Sequence, residues 1–143
     1  YFYCFADVPP DPTGCECLSP SPHYRQPGSL LIYPEFDNRA GAVTILTVTN
    51  TECVDTSGEN VDVEFVYINK DDCEETNKTI TLTPCDTFTV ISNVHNPQND
   101  QGYVYAFAKN EAGEPIVWNY LVGSLLVVNG LETFDYGLPG SRQ

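Results

Sequence analysis

Hydrophobic positions along this chain recur at every second residue, in short runs broken by polar, proline and glycine positions. Residues 61–68 show the pattern most plainly: Val61, Val63, Phe65 and Tyr67 fall on one side of an extended chain, Asp62 and Glu64 on the other. Val66 and Ile68 then follow the acids, so the run predicts a strand with one buried face and a second half that is apolar on both. The same reading predicts strands over residues 29–33, closed by Pro34, and over 42–50, 78–83, 86–94, 102–109 and 115–122. A final hairpin is expected from 124–128 and 131–136 around Asn129-Gly130, the strongest two-residue turn signal present. Residues 35–41, 69–75 and 95–101 read as loops. No apolar 3.6-residue period lasts three turns, so no helix is expected. Eight or nine short strands with turn signals between them predict an all-β fold, an antiparallel β-sandwich of immunoglobulin-like or jelly-roll type. Trp118 follows every cysteine, so a relation to immunoglobulin domains would be architectural only.

The first 28 residues differ in kind. Tyr1, Phe2, Tyr3, Cys4, Phe5 and Ala6 form an apolar, aromatic hexapeptide, followed by a stretch holding Pro9, Pro10, Pro12, Pro20, Pro22 and Pro27. Such a stretch cannot donate a continuous ladder and reads as a stiff polar tether. The chain therefore divides into an N-terminal arm (1–28), a β-sandwich domain (29–137) and a short tail (138–143). The hexapeptide suits two roles, an edge strand of its own domain or a strand added to a neighbour's sheet.

A length of 143 residues suits one domain with a sizeable core. Twenty acidic against six basic residues give a net charge of −14, which disfavours nucleic acid and anionic lipid as partners. No run approaches the roughly 20 apolar residues of a membrane span. The sequence contains no methionine, so a start after processing is expected, as after removal of a secretion signal. The six cysteines, Cys4, Cys15, Cys17, Cys53, Cys73 and Cys85, agree with an oxidising, extracellular compartment. Their spacing does not suit zinc, so neither metal nor cofactor is expected.

Cys53–Cys85 is the preferred bridge, because each follows the end of a strand and the two ends can meet at one end of the sandwich. Cys73 and Cys85 are separated by a whole strand, too far for the roughly 6 Å a bridge allows between Cα atoms. Cys73 is then left for an arm cysteine, within the chain or in a neighbour. The acidic run Asp71, Asp72, Glu74 and Glu75, with Asn69 or Asn77, has oxygen ligands for calcium but no EF-hand spacing, and reads as a solvated turn. Asn77-Lys78-Thr79 is an N-glycosylation sequon, so Asn77 is a candidate glycan site. His23 and His95 lack a nucleophile signature nearby, and Asp62 with Glu64 reads as solvation of an exposed strand face; no catalytic residue is assigned. Tyr103, Tyr105 and Phe107 resemble a stacking platform but at strand spacing are expected to be half of a core. Ile45, Leu46, Val48, Leu125, Leu126, Val127 and Val128 exceed one core face, which implies that something covers the other.

Phe36-Asp37-Asn38-Arg39, residues 47–51, 63–68, 82–87 and 102–109 together resemble an uncharacterised group of secreted bacterial β domains, across residues 29–137. That resemblance implies no activity. A Cys-bearing arm ahead of a β-sandwich resembles in plan the subunits of extracellular filaments built by strand donation. The expected function is a structural subunit of an extracellular filament or matrix, polymerising head to tail with copies of itself through residues 1–6 and locked by disulfides. The alternative is a monomeric secreted or cell-surface binding module, with glycan as a ligand class. An enzyme is not expected.

Overall fold

In the computed structural model, residues 27–53 and 60–130 are described in full, and 134–139 and 141–142 by their backbone. Among these described residues, nine strands and one helical turn follow in order: β1 (Leu30–Asp37), β2 (Ala42–Asn50), β3 (Val61–Asn69), β4 (Glu75–Leu82), β5 (Thr87–Ile91), α1 (Ser92–His95), β6 (Gln101–Lys109), β7 (Leu121–Asn129), β8 (Phe134–Pro139) and β9 (Ser141–Arg142). They form two antiparallel sheets, one of five strands in the order β4-β3-β6-β1-β9 and one of four in the order β5-β2-β7-β8. The expected all-β sandwich is present. Chain neighbours pair only in the β3–β4 and β7–β8 hairpins, and the other connections cross between sheets.

The core lies between the sheets and is built from alternate positions. Leu31 and Tyr33 of β1, Val61, Val63, Phe65 and Tyr67 of β3, and Val104, Ala106 and Ala108 of β6 face Leu46 and Val48 of β2 and Leu121, Leu125 and Val127 of β7. The small residues on β6 have a purpose. Tyr33 pairs with Val104 and Phe65 with Ala106 on either side of β6, and their rings stack across it with centroids 6.3 Å apart. Phe36 and Tyr67 meet edge to face at 5.4 Å over Gly102, where an added Cβ would lie 1.8 Å from the Ile68 carbonyl oxygen. Large rings on the flanking strands thus require small side chains between them.

Several expectations need correction. Pro34 does not close β1. The register slips by one residue between Tyr33 and Phe36, so Pro34 and Glu35 sit in a bulge, where a residue without an N–H is tolerated, and Phe36 returns to the core. Residues 92–94, read as strand, form a helical turn together with His95, read as the start of a loop. Residues 115–120 carry one isolated bridge, Lys109 to Pro115, rather than a strand, and β7 begins at Leu121. In the last hairpin Asn129 pairs with Phe134, so Asn129-Gly130 is not a two-residue tip. Residues 138–142, read as a tail, include the end of β8 and β9, which pairs with Leu31 and Ile32.

Candidate interaction surfaces

Cys53 and Cys85 are bridged, with Cα atoms 4.9 Å apart. They lie in the crossovers after β2 and β4, whose ends meet where the Asn50 side-chain amide donates to the Thr83 carbonyl at 3.2 Å. Cys73 is exposed and unbridged among the described residues, in the β3–β4 turn at φ 60°. Cys4, Cys15, Cys17, the whole of residues 1–6 and His23 lie outside the described residues. The acidic turn is closed by its own side chains: Asp72 accepts from the Asn69 amide at 2.7 Å and from the Glu74 N–H at 3.0 Å. Asn77 is exposed on β4.

Two further clusters hold the frame. His95, on α1, packs against Phe65, Tyr67 and Phe88 with centroids 5.4, 5.6 and 5.7 Å away, and its Nδ1 lies 2.7 Å from the Tyr67 hydroxyl. Burial, and then the Lys78 ammonium, push its pKa below the ordinary histidine value, favouring neutral imidazole. Burial pushes the Tyr67 hydroxyl well above the usual phenol range, which suits it as donor. At the β1–β2 turn, Asp37 takes hydrogen bonds from the Arg39 backbone N–H (3.0 Å), Nε (3.0 Å) and Nη2 (2.7 Å), and one from Gln101 at 3.2 Å. The Arg39 hydrogen bonds outweigh desolvation and hold the Asp37 carboxyl below the usual carboxylate range. The Asn38 amide binds the carbonyls of Asn96 and Asn99 at 3.0 and 2.8 Å, and tethers the loop after α1. Asp62 and Glu64 are likewise partnered. Asp62 accepts from Thr81 at 2.6 Å, and Glu64 from Thr79 and Lys109. For Glu64, burial raises the pKa, but these two donors win and the net shift is downward.

The outer faces of the two sheets differ in character. On the four-stranded sheet, Val43 pairs with Val128, and Ile45 with Leu126 on one side and Ile91 on the other. Val43, Ile91, Leu126 and Val128 are 41%, 43%, 39% and 37% exposed. The expected surplus of apolar residues is therefore real: Leu46, Val48, Leu125 and Val127 fill the core, while Ile45, Leu126 and Val128 face outward. Toward the other end the same face turns to hydroxyls, with Thr47 bonded to Ser124 and Thr49 to Thr87 at 2.8 Å.

On the five-stranded sheet the expectation fails. Tyr103, Tyr105 and Phe107 are not half of the core; they stand on its outer face, with Tyr103 45% exposed. Alternation fixed the row but not which side of it is buried, and the volumes of Tyr33 and Phe65 decide for Val104, Ala106 and Ala108. Tyr105 and Phe107 stack at 6.2 Å with planes 21° apart. Val66 and Ile68 of β3 pair beside Tyr105 and Tyr103 and are buried on this face.

No protein-family model matches this sequence, and no curated protein matches it. Its fold is similar to that in the crystal structure of Thermotoga maritima 1070, with a TM-score of 0.60 over 82% of this chain and 96% of that one. Sequence identity is 13%, so the likeness shows the shared sandwich fold alone.

Proposed function

We propose that this chain is a structural subunit of an extracellular filament or matrix, joined to copies of itself by an N-terminal strand and secured by disulfides. The observation that carries this reading is the outward apolar patch of Val43, Ile45, Ile91, Leu126 and Val128 on the four-stranded sheet. Contiguous apolar surface of this kind marks a face made to be covered. Three sequence features point the same way: an apolar hexapeptide at residues 1–6, a proline-rich tether behind it, and arm cysteines alongside an exposed Cys73. Burial of the aromatic hexapeptide would supply affinity, backbone pairing the register, and a bridge permanence. A head-to-tail contact that does not close produces a fibre. Deleting residues 1–6 tests this: the full chain is expected to assemble, by light scattering and negative-stain imaging, and the truncated chain to stay monomeric. Equal assembly of both removes the hexapeptide from the mechanism.

The outward row of Tyr103, Tyr105 and Phe107 favours a second reading, a cell-surface module that stacks sugar rings. Titration with neutral oligosaccharides before and after Tyr105→Ser discriminates it, because filament assembly does not require that row.

A further inference from the structure

A donated strand needs an edge to join, and the sheets end on four different strands. We propose that the acceptor is the outer edge of β5, Thr87–Ile91, which no described strand pairs with, and that its occupant is residues 1–6 of a second copy of this chain; the inference rests on the filament reading above. Edge strands that must not pair are guarded by charge, proline or brevity. β4 carries Glu75 at its start and Lys78 among its core-side positions, opposite Phe65. β8 carries Asp135 and ends at Pro139, and β9 is two residues long and carries Arg142. β5 reads Thr-Phe-Thr-Val-Ile, with no charge, proline or glycine. It is the unguarded edge among the described strands.

The backbone phase of β5 shows what that edge offers. The Asn50 N–H donates to the Asp86 carbonyl at 2.9 Å. By the alternation of an antiparallel ladder, residues 86, 88 and 90 turn their backbone groups toward β2, and 87, 89 and 91 turn theirs outward. The Thr87 N–H is taken by the Asp86 carboxylate at 2.8 Å. Among the described residues, the Thr89 and Ile91 N–H groups remain as edge donors. A strand placed there extends the row Ile91, Ile45, Leu126 on the outer face. On its other side it covers Ile80, Phe88 and Val90, which are only partly buried at the seam between β4 and β5.

Length argues for a second copy. The described chain enters the fold at Gly28, bridged to Leu121 on the side of β7 away from Asn50, three strand positions from β5 and at the end where Thr87 lies. Twenty-one residues (7–27) separate that point from the hexapeptide. Extended as a polyproline-like tether they would span about 65 Å, about twice the length of a nine-residue strand at about 3.3 Å per residue. A stiff tether of that length suits a neighbouring subunit and not an edge roughly 15 Å away across three strand spacings.

The test uses the full chain with Thr89→Pro, which removes an outward N–H, and Thr89→Lys, which places a charge on the edge strand. Assembly is read by light scattering, fold by circular dichroism, and edge protection by amide hydrogen exchange of the wild-type polymer. The expected result is loss of assembly by both folded variants, with the Thr89 and Ile91 amides protected in the wild-type polymer. Wild-type-like assembly of Thr89→Lys, or protection appearing on β4 or β8 instead, overturns the β5 assignment and leaves the filament reading standing. A wild-type chain that stays monomeric at all concentrations overturns the filament reading, and this inference with it.

Discussion

The Tyr67 hydroxyl lies 2.7 Å from Nδ1 of His95, and the rings of Phe65, Tyr67 and Phe88 enclose that imidazole. One side chain on a single helical turn therefore ties the end of β5 to the centre of β3. The arrangement holds imidazole in its neutral form, because burial first and Lys78 second disfavour the cation.

The pH dependence follows from that depressed value. The unfolded chain takes up a proton on His95 near pH 6.5 while the folded chain resists. Stability is thus full above the unfolded value and falls as pH drops toward the folded one. Asp37 and Glu64, both shifted below ordinary carboxylates, add a second loss at lower pH, as it falls from the unfolded carboxylate range through their folded values. Urea midpoints measured from pH 8 down to pH 3 should fall in two stages. His95→Gln, which retains a hydrogen-bonding side chain but does not titrate, should abolish the upper stage and leave the lower one. An unchanged upper stage in that variant assigns it to another group.

Gly123 and Tyr33 form a second testable pair. A Cβ at Gly123 would lie 2.5 Å from the Tyr33 hydroxyl oxygen, which donates to the Thr47 carbonyl at 2.7 Å across the two sheets. Gly123→Ala should destabilise by about 1–3 kcal/mol through overpacking. Tyr33→Phe should cost about 1 kcal/mol, because the bond from its hydroxyl to the Thr47 carbonyl is lost. Because Tyr33→Phe removes the oxygen that the added methyl group would strike, the double variant should be more stable than the sum of the two predicts, by about 0.5 kcal/mol or more. Strict additivity in denaturant titrations would show that the clash is relieved elsewhere.

The Cys53–Cys85 bridge closes a loop with a sequence separation of 32 residues. Loop-closure entropy assigns such a bridge about 3–4 kcal/mol. The Cys53→Ser/Cys85→Ser chain should lose that much stability by chemical denaturation, and reductant should then have no further effect on its domain unfolding. A loss under about 1 kcal/mol would mean that the crossovers stay together in the unfolded chain without it.

Much of the sandwich was legible because period-2 alternation needs nothing but local sequence. The strands at residues 42–50 and 61–68 lie where Val, Ile and Thr alternate across one buried face, and Cys53 with Cys85 follows from which strand ends can meet. Three features depend on information that alternation lacks. Pro34 looks like a stop, yet a bulge admits it; the legible signal was the spacing Leu31, Tyr33, Phe36, which shifts from two to three. Tyr103, Tyr105 and Phe107 look like core until the rings of Tyr33 and Phe65 are known to meet over β6. The preference for β5 as an acceptor rests on strand order, which places charged or proline-bearing strands on the other edges. No local pattern contains that order.

Joining of copies through the arm is tested most directly by disulfide mapping of unreduced material taken from its source. The predicted result is a ladder on non-reducing electrophoresis that collapses to one band on reduction. With it should come a peptide joining Cys4, Cys15 or Cys17 to Cys73 of another chain, alongside Cys53–Cys85 within each. A single monomer band with every bridge internal would contradict the covalent joint, and the glycan-binding reading of the outward aromatic row would then lead.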